Sequence, residues 1–109
     1  NQAVLVGNTL YTSGQIALNP TTMELVLDDI ETETKQVMEN MKAVLAAADM
    51  TFENVIKTTI FIMNMGDFAR INTVYGSYFD EATAPVRETV QVACLPKNVN
   101  IEISMVAVK

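Results

Sequence analysis

The chain has 109 residues and a formal net charge of −6, with seven basic residues against thirteen acidic ones, one cysteine and no histidine. That length fits a single domain over 1–109. The residue inventory excludes Ser-His-Asp and Cys-His catalysis, histidine-ligated metals and zinc-thiolate clusters.

Nucleic-acid binders concentrate lysine and arginine in stripes that displace counterions from phosphates. Here the basic residues are scattered, so no nucleic-acid partner is expected. No apolar run approaches the ~20 residues that cross a bilayer, so no membrane span is expected. An acidic surface and a lone Cys94 fit a reducing, cytoplasmic location. No GxGxxG or Walker A pattern is present. Any chemistry must come from carboxylates, Arg, Lys, Tyr, hydroxyls, backbone groups and water.

In chain order, "AVLVGNTLYTSG" predicts a hairpin, with two alternating runs flanking Gly7-Asn8. "LNPTTMEL" is a loop marked by Asn19-Pro20. Asp28, three residues before Glu31, reads as a capping-box-like helix start. Ile30, Val37, Met41, Val44 and Ala48 recur at helical spacing, with Met38 and Met41 as core filler. Glu33, Lys35, Glu39 and Lys42 fall mostly outside that stripe. "VIKTTIFIM", Val55 to Met63, predicts an interior strand. Asp67 is the expected cap of a second helix with Phe68, Ile71, Val74, Tyr75 and Tyr78 turned inward. Two long strands are then expected, Val86 to Leu95 and Asn100 to Val108, joined as a hairpin through "PKNVN". Cys94 reads as a small buried hydrophobe.

The order β-β-α-β-α-β-β implies an α+β fold, a mixed sheet with both helices packed on one face. Neither side of the last two strands is cleanly polar. The face without helices is therefore expected to meet another copy of the chain, with a cleft between protomers.

Arg87 and Glu102 are the charged residues of interest on those strands. A hairpin centred near Lys97-Asn98 puts Glu102 opposite Ala93. That is about six residues from Arg87, or on the order of 20 Å at roughly 3.4 Å per residue. Within one chain the two charges are thus expected to be apart, and staggered subunits would bring them together. Pattern alone favours a solvated edge role for Arg87 and a surface role for Glu102. Ser13 has no base partner in the sequence and does not read as a nucleophile.

"LYTSGQIALNP", "NMKAVLAAA", "VIKTTIFIMNMGDFARINTVYGSYF" and "APVRETVQVACLPKNVNIEI" together resemble the Rid/YjgF family of imine/enamine deaminases over almost the whole chain. The most specific parts are the R-x-x-V-x-V-x-x-L-P strand, with Glu seven residues beyond the Leu, and Y-T-S-G-Q. The resemblance implies a fold like the Bacillus-type chorismate mutase and a homotrimer with a central barrel and three inter-subunit clefts. It implies hydrolysis of 2-aminoacrylate or 2-iminobutanoate to the 2-oxo acid and ammonia, with no cofactor and no metal. By the same resemblance Arg87 grips the substrate carboxylate and Glu102 orients or activates water. Ser13 and Gly14 lie in the loop beside the substrate, Asn72 lines the cleft, and Thr89 holds a position where Cys or Thr is usual. The family pattern has a tyrosine just ahead of Asn1, and glycine is common where Met23 stands.

Two other readings fit the same residues. One is a non-catalytic trimeric module that binds 2-oxo or amino acids. The other is a ribonuclease or translation inhibitor, against which the charge of −6 counts.

Overall fold

A computed structural model describes residues Asn1–Lys109. The first hairpin pairs β1 (Ala3–Val6) with β2 (Thr9–Thr12) around Gly7-Asn8, as expected. Gly7 takes φ +60 and Asn8 does not share the left-handed region, the pattern of a II′ turn.

Helix α1 (Ile30–Ala47) starts one residue later than its sequence signal. Asp29, not Asp28, is the N-cap, and its Oδ1 accepts from the Thr32 N–H at 2.7 Å. The shift makes Ile30 the first helical residue and buries it. The helix closes with Asp49 at φ 57, its N–H donating to Ala46 O and the Met50 N–H donating to Leu45 O, both at 3.0 Å. This is a Schellman closure, with the buried Met50 folded back on the last turn.

β3 (Val55–Ile62) leads through a short 3-10 turn to α2 (Phe68–Gly76). Asp67 makes no side-chain cap; Asn64 caps the preceding turn by accepting from Gly66 N at 2.8 Å. β4 (Val86–Gln91) and β5 (Ile101–Val108) complete the chain. No helix is long and apolar enough to cross a membrane.

The five strands form one mixed sheet in the order β1-β2-β5-β3-β4. β3 and β4 are parallel and the other pairs antiparallel. The expected β4–β5 hairpin does not exist, because β3 lies between them. The physical reason is α2: its crossover returns the chain to the same end of the sheet, which makes β4 parallel to β3. The chain must then cross the end of β3 to reach β5. That connection consumes residues 92–100, so β4 stops at Gln91 rather than Leu95. It turns through Lys97 and Asn98 at φ 57 and 56 and carries Cys94, which is exposed rather than buried.

Both helices cover one face, as the α+β reading expected. β5 alternates strictly, with Ile101, Ile103, Met105 and Ala107 buried beneath the helices. Val37, Met38, Met41 and Leu45 of α1 and Ile71 of α2 meet them. Glu33 departs from its expected outward position and is fully buried. The opposite face carries Val4, Tyr11, Phe61, Val90 and Val106, placed together by register, and a Lys57–Glu88 ion pair at 3.0 Å.

Candidate functional site

Arg87 sits opposite Thr58 on β3, and Glu102 sits opposite Phe61. Side chains alternate along a strand, so an odd spacing on β3 puts the two on opposite faces of the sheet. The expected separation within one chain therefore holds, for a reason other than hairpin length. The candidate residues fall into two groups.

The first group lies at the β4 edge on the helix side. Arg87 donates from its guanidinium to Asn72 Oδ1. Its Cζ lies 5.3 Å from the centroid of Phe68 and 5.5 Å from that of Tyr75. Phe68, Asn72 and Tyr75 follow the i, i+4, i+7 rhythm of α2, so one helix face presents all three to one guanidinium. Tyr75 is buried and donates to Thr58 Oγ1 at 3.0 Å. Burial pushes the Tyr75 hydroxyl above its ordinary range, while the Thr58 bond and the nearby Arg87 charge oppose that shift. The phenol thus stays neutral and anchors the ring under the arginine.

A cleft of about 590 Å³ opens here, lined by Asn72, Tyr75, Phe79, Glu81, Pro85 and Arg87 among others. Thr89 follows Arg87 on the same face, and its buried Oγ1 has no hydrogen-bond partner. That hydroxyl is closed off from the cleft, whose lining does not include Thr89.

The second group lies where β2 leaves β5. Tyr11 pairs with Val106 and Gln15 bridges to Ile103, so the β2 side advances four residues while β5 covers three. The extra residue is a bulge at Ser13-Gly14. Thr12 Oγ1 accepts from Met105 N at 2.9 Å, replacing a ladder bond there. Ser13 N–H donates to Gln2 O at 2.8 Å, and Ser13 Oγ accepts from Gln15 Nε2 at 3.2 Å. Glu102 lies directly over Gly14: a Cβ at that position would fall within 2.7 Å of Glu102 Cγ and Oε1. A side chain at position 14 would push the Glu102 carboxyl out of this placement. Ser13 and Gly14 also form one rim of a cleft of about 640 Å³ that extends to Met23 and Ala43.

The structure thus joins Arg87 to Asn72, with Thr89 on the same face, and joins Glu102 to Gly14, with Ser13 in the same bulge. One chain does not join the two groups. Sequence reasoning missed that Phe68 and Tyr75 cradle the arginine. Their spacing with Asn72 on α2 was the available signal. Met23 is at φ 60, the region that favours glycine, which accounts physically for glycine at that position in the family pattern.

A family model described as Endoribonuclease L-PSP matches residues 1–109. The RutC family protein slr0709 of Synechocystis is 52% identical over 109 residues, covering 99% of this chain and 84% of that protein. The 2-iminobutanoate/2-iminopropanoate deaminase of Escherichia coli K12 is 44% identical over 110 residues, covering 99% of this chain and 85% of the deaminase. The crystal structure of E. coli TdcF with bound serine superposes with a TM-score of 0.92 at 44% identity, over 99% of this chain and 86% of that one. The chain therefore belongs to the Endoribonuclease L-PSP family, whose members include the Rid/YjgF proteins.

Proposed function

We propose that the protein hydrolyses small 2-imino acids, such as 2-iminobutanoate and the imine tautomer of 2-aminoacrylate, to 2-oxo acids and ammonia. The site is a cleft between copies in a homotrimer with a Bacillus chorismate mutase-like barrel. Arg87 comes from one copy and Glu102 from its neighbour. The observation that carries this reading is the split arrangement: a guanidinium held by α2 and a carboxyl seated over Gly14, on opposite faces of one sheet. The open face supports assembly, because Tyr11, Val4 and Val90 are 51, 53 and 43% exposed and sit in register with Phe61 and Val106.

Arg87 holds the substrate carboxylate through two parallel hydrogen bonds. Asn72, Phe68 and Tyr75 fix the guanidinium plane, so the imine carbon is presented in one orientation. Water adds to the imine carbon while Glu102 takes its proton. Glu102 then protonates the nitrogen of the resulting amino alcohol, and ammonia departs as the hydroxyl proton passes to the Glu102 carboxylate, leaving the 2-oxo acid. Atoms balance with one water consumed and no cofactor used. Ser13 and Gly14 shape the wall on the Glu102 side. A protonated imine is already electrophilic, so these residues are sufficient.

The two relatives with ligand or substrate names support a small carboxylate-bearing molecule in this fold. The ribonuclease named by the family description is the weaker reading here, because a net charge of −6 with scattered basic residues opposes phosphate binding.

The test times the loss of enzymatically generated 2-iminobutanoate. Arg87→Ala should abolish acceleration, and an unchanged rate would overturn the clamp. Glu102→Gln should lower kcat by roughly 10²- to 10⁴-fold, the range of general acid–base contributions. Wild-type protein that binds 2-oxobutanoate yet turns over no imine would instead support a non-catalytic binding module.

A further inference from the structure

Glu33 is a buried acid that the proposed chemistry does not use. It is the fourth residue of α1 and has no exposed surface. No lysine or arginine lies within 4 Å of it; the ion pairs of the chain involve Glu31, Asp67 and Glu88. Its two oxygens each take one hydrogen bond from the same residue. Oε2 accepts from the Asn100 backbone N–H at 2.8 Å, and Oε1 accepts from Asn100 Nδ2, also at 2.8 Å. A buried carboxylate without a cation is costly, so its presence in a core helix requires a reason.

Asn100 supplies one. It is the last residue before β5, at the end of the long connection from β4. Its carbonyl accepts from Met63 N at 3.1 Å, which ties it to the end of β3. Two residues later comes Glu102, seated over Gly14. One residue further, Ile103 exchanges bonds with Gln15 at 2.7 and 3.0 Å. Glu102 is thus held between an anchor at Asn100 and an anchor at Ile103.

We propose that Glu33 is a positioning residue: by clamping both donors of Asn100, it fixes the start of β5 and so the placement of the Glu102 carboxylate over Gly14. This rests on the deaminase reading for its catalytic consequence, but the positioning itself does not depend on it. An apolar residue at position 33 would pack as well but leave two donors without acceptors. A glutamine would serve, because Asn100 can turn its amide so that Oδ1 accepts from the new NH₂ while the backbone N–H keeps its acceptor.

The experiment uses the full chain and three variants, with turnover of 2-iminobutanoate and the ¹³C resonance of the Glu102 carboxyl carbon as readouts. Glu33→Gln should stay within about twofold of wild type in kcat, by the amide turn described above. Asn100→Asp sets two carboxyl groups face to face. It should shift the Glu102 resonance and lower kcat by roughly 10- to 100-fold, the scale of an ångström-sized displacement, with KM little changed because Arg87 is untouched. The double variant Glu33→Gln/Asn100→Asp lets the introduced amide donate to the introduced carboxylate, and should restore both resonance and kcat. Should Asn100→Asp not fold, Asn100→Ala keeps the backbone bond, removes the amide and should move both readouts in the same direction by less. An unmoved Glu102 resonance in the Asn100 variants, or a double variant no better than the single one, would overturn the proposal. Wild-type protein without turnover, alongside the expected resonance changes, would overturn the deaminase reading and leave the positioning role standing.

Discussion

The arginine and glutamate nooks are built by different means. Arg87 is held by side chains: two aromatic rings and an amide projected from one face of α2. Glu102 is held by backbone: a bulge that brings Gly14 beneath it and strand anchors on either side. A long, flexible cation needs surfaces to lie on before it can present a fixed plane. A short carboxylate needs its Cα fixed and space cleared around it. Damage to the first nook should therefore appear in substrate binding, and damage to the second in the chemical step.

The largest effect comes from separating the two nooks between subunits. Arg87→Ala and Glu102→Gln should each be nearly inactive alone. When equal amounts are unfolded and refolded together, random assembly gives a site with both native groups about one time in four. Activity should return to about a quarter of wild type. A mixture as inactive as its parents would overturn a site shared between copies.

Gly14→Ala comes next. The added Cβ collides with Glu102, so overpacking of about 1–3 kcal/mol is expected. Turnover should fall on the order of 100-fold while affinity for 2-oxobutanoate is kept. Equal loss of both would mean that the nooks are not independent.

Phe68→Leu removes one ring from beneath the guanidinium. A cation–π contact at an accessible site contributes about 0.5–1 kcal/mol, so KM should rise roughly two- to fivefold at nearly constant kcat. A fall in kcat with KM unchanged would contradict the contrast.

The tie between the helices is a further control, outside both nooks. Arg70 makes a bidentate contact to Glu31 at 3.0 and 2.6 Å. That contact holds the Glu31 carboxyl below its ordinary range, and bonds from Thr32 do the same for Asp29. Groups depressed in the folded state stabilise it above their unfolded values and lose that contribution as pH falls through the folded ones. Glu31→Gln should therefore flatten the decline in melting temperature below about pH 4, with little change near neutrality, and leave turnover intact.

The smallest effect concerns Met23. Its left-handed backbone costs a side chain about 1 kcal/mol. Met23→Gly should raise stability by up to that amount in denaturant titration, without altering either nook.

Local patterns were legible where local physics decides. Gly7-Asn8 makes the first turn, and the spacing of Val37, Met41 and Val44 makes α1. The parallel β3–β4 pair was not legible as strand order, because Val86 to Leu95 and Asn100 to Val108 look like consecutive strands of a hairpin. Only the crossover through α2 excludes that, and this is a matter of topology rather than pattern. Glu33 was misplaced for a related reason: helical spacing cannot reveal that Asn100, far along the chain, supplies two donors. Arg87 and Glu102 were identified through resemblance, since pattern alone favoured solvated roles for both.

β4 is the outer strand of the sheet, with Val86 and Val90 at its surface. Such a border invites strands from other molecules, and charged side chains discourage them. Arg87 and Glu88 occupy the middle of that border. Glu88, paired with Lys57, keeps charge at that border, whereas the Arg87 side chain is turned away from it onto α2.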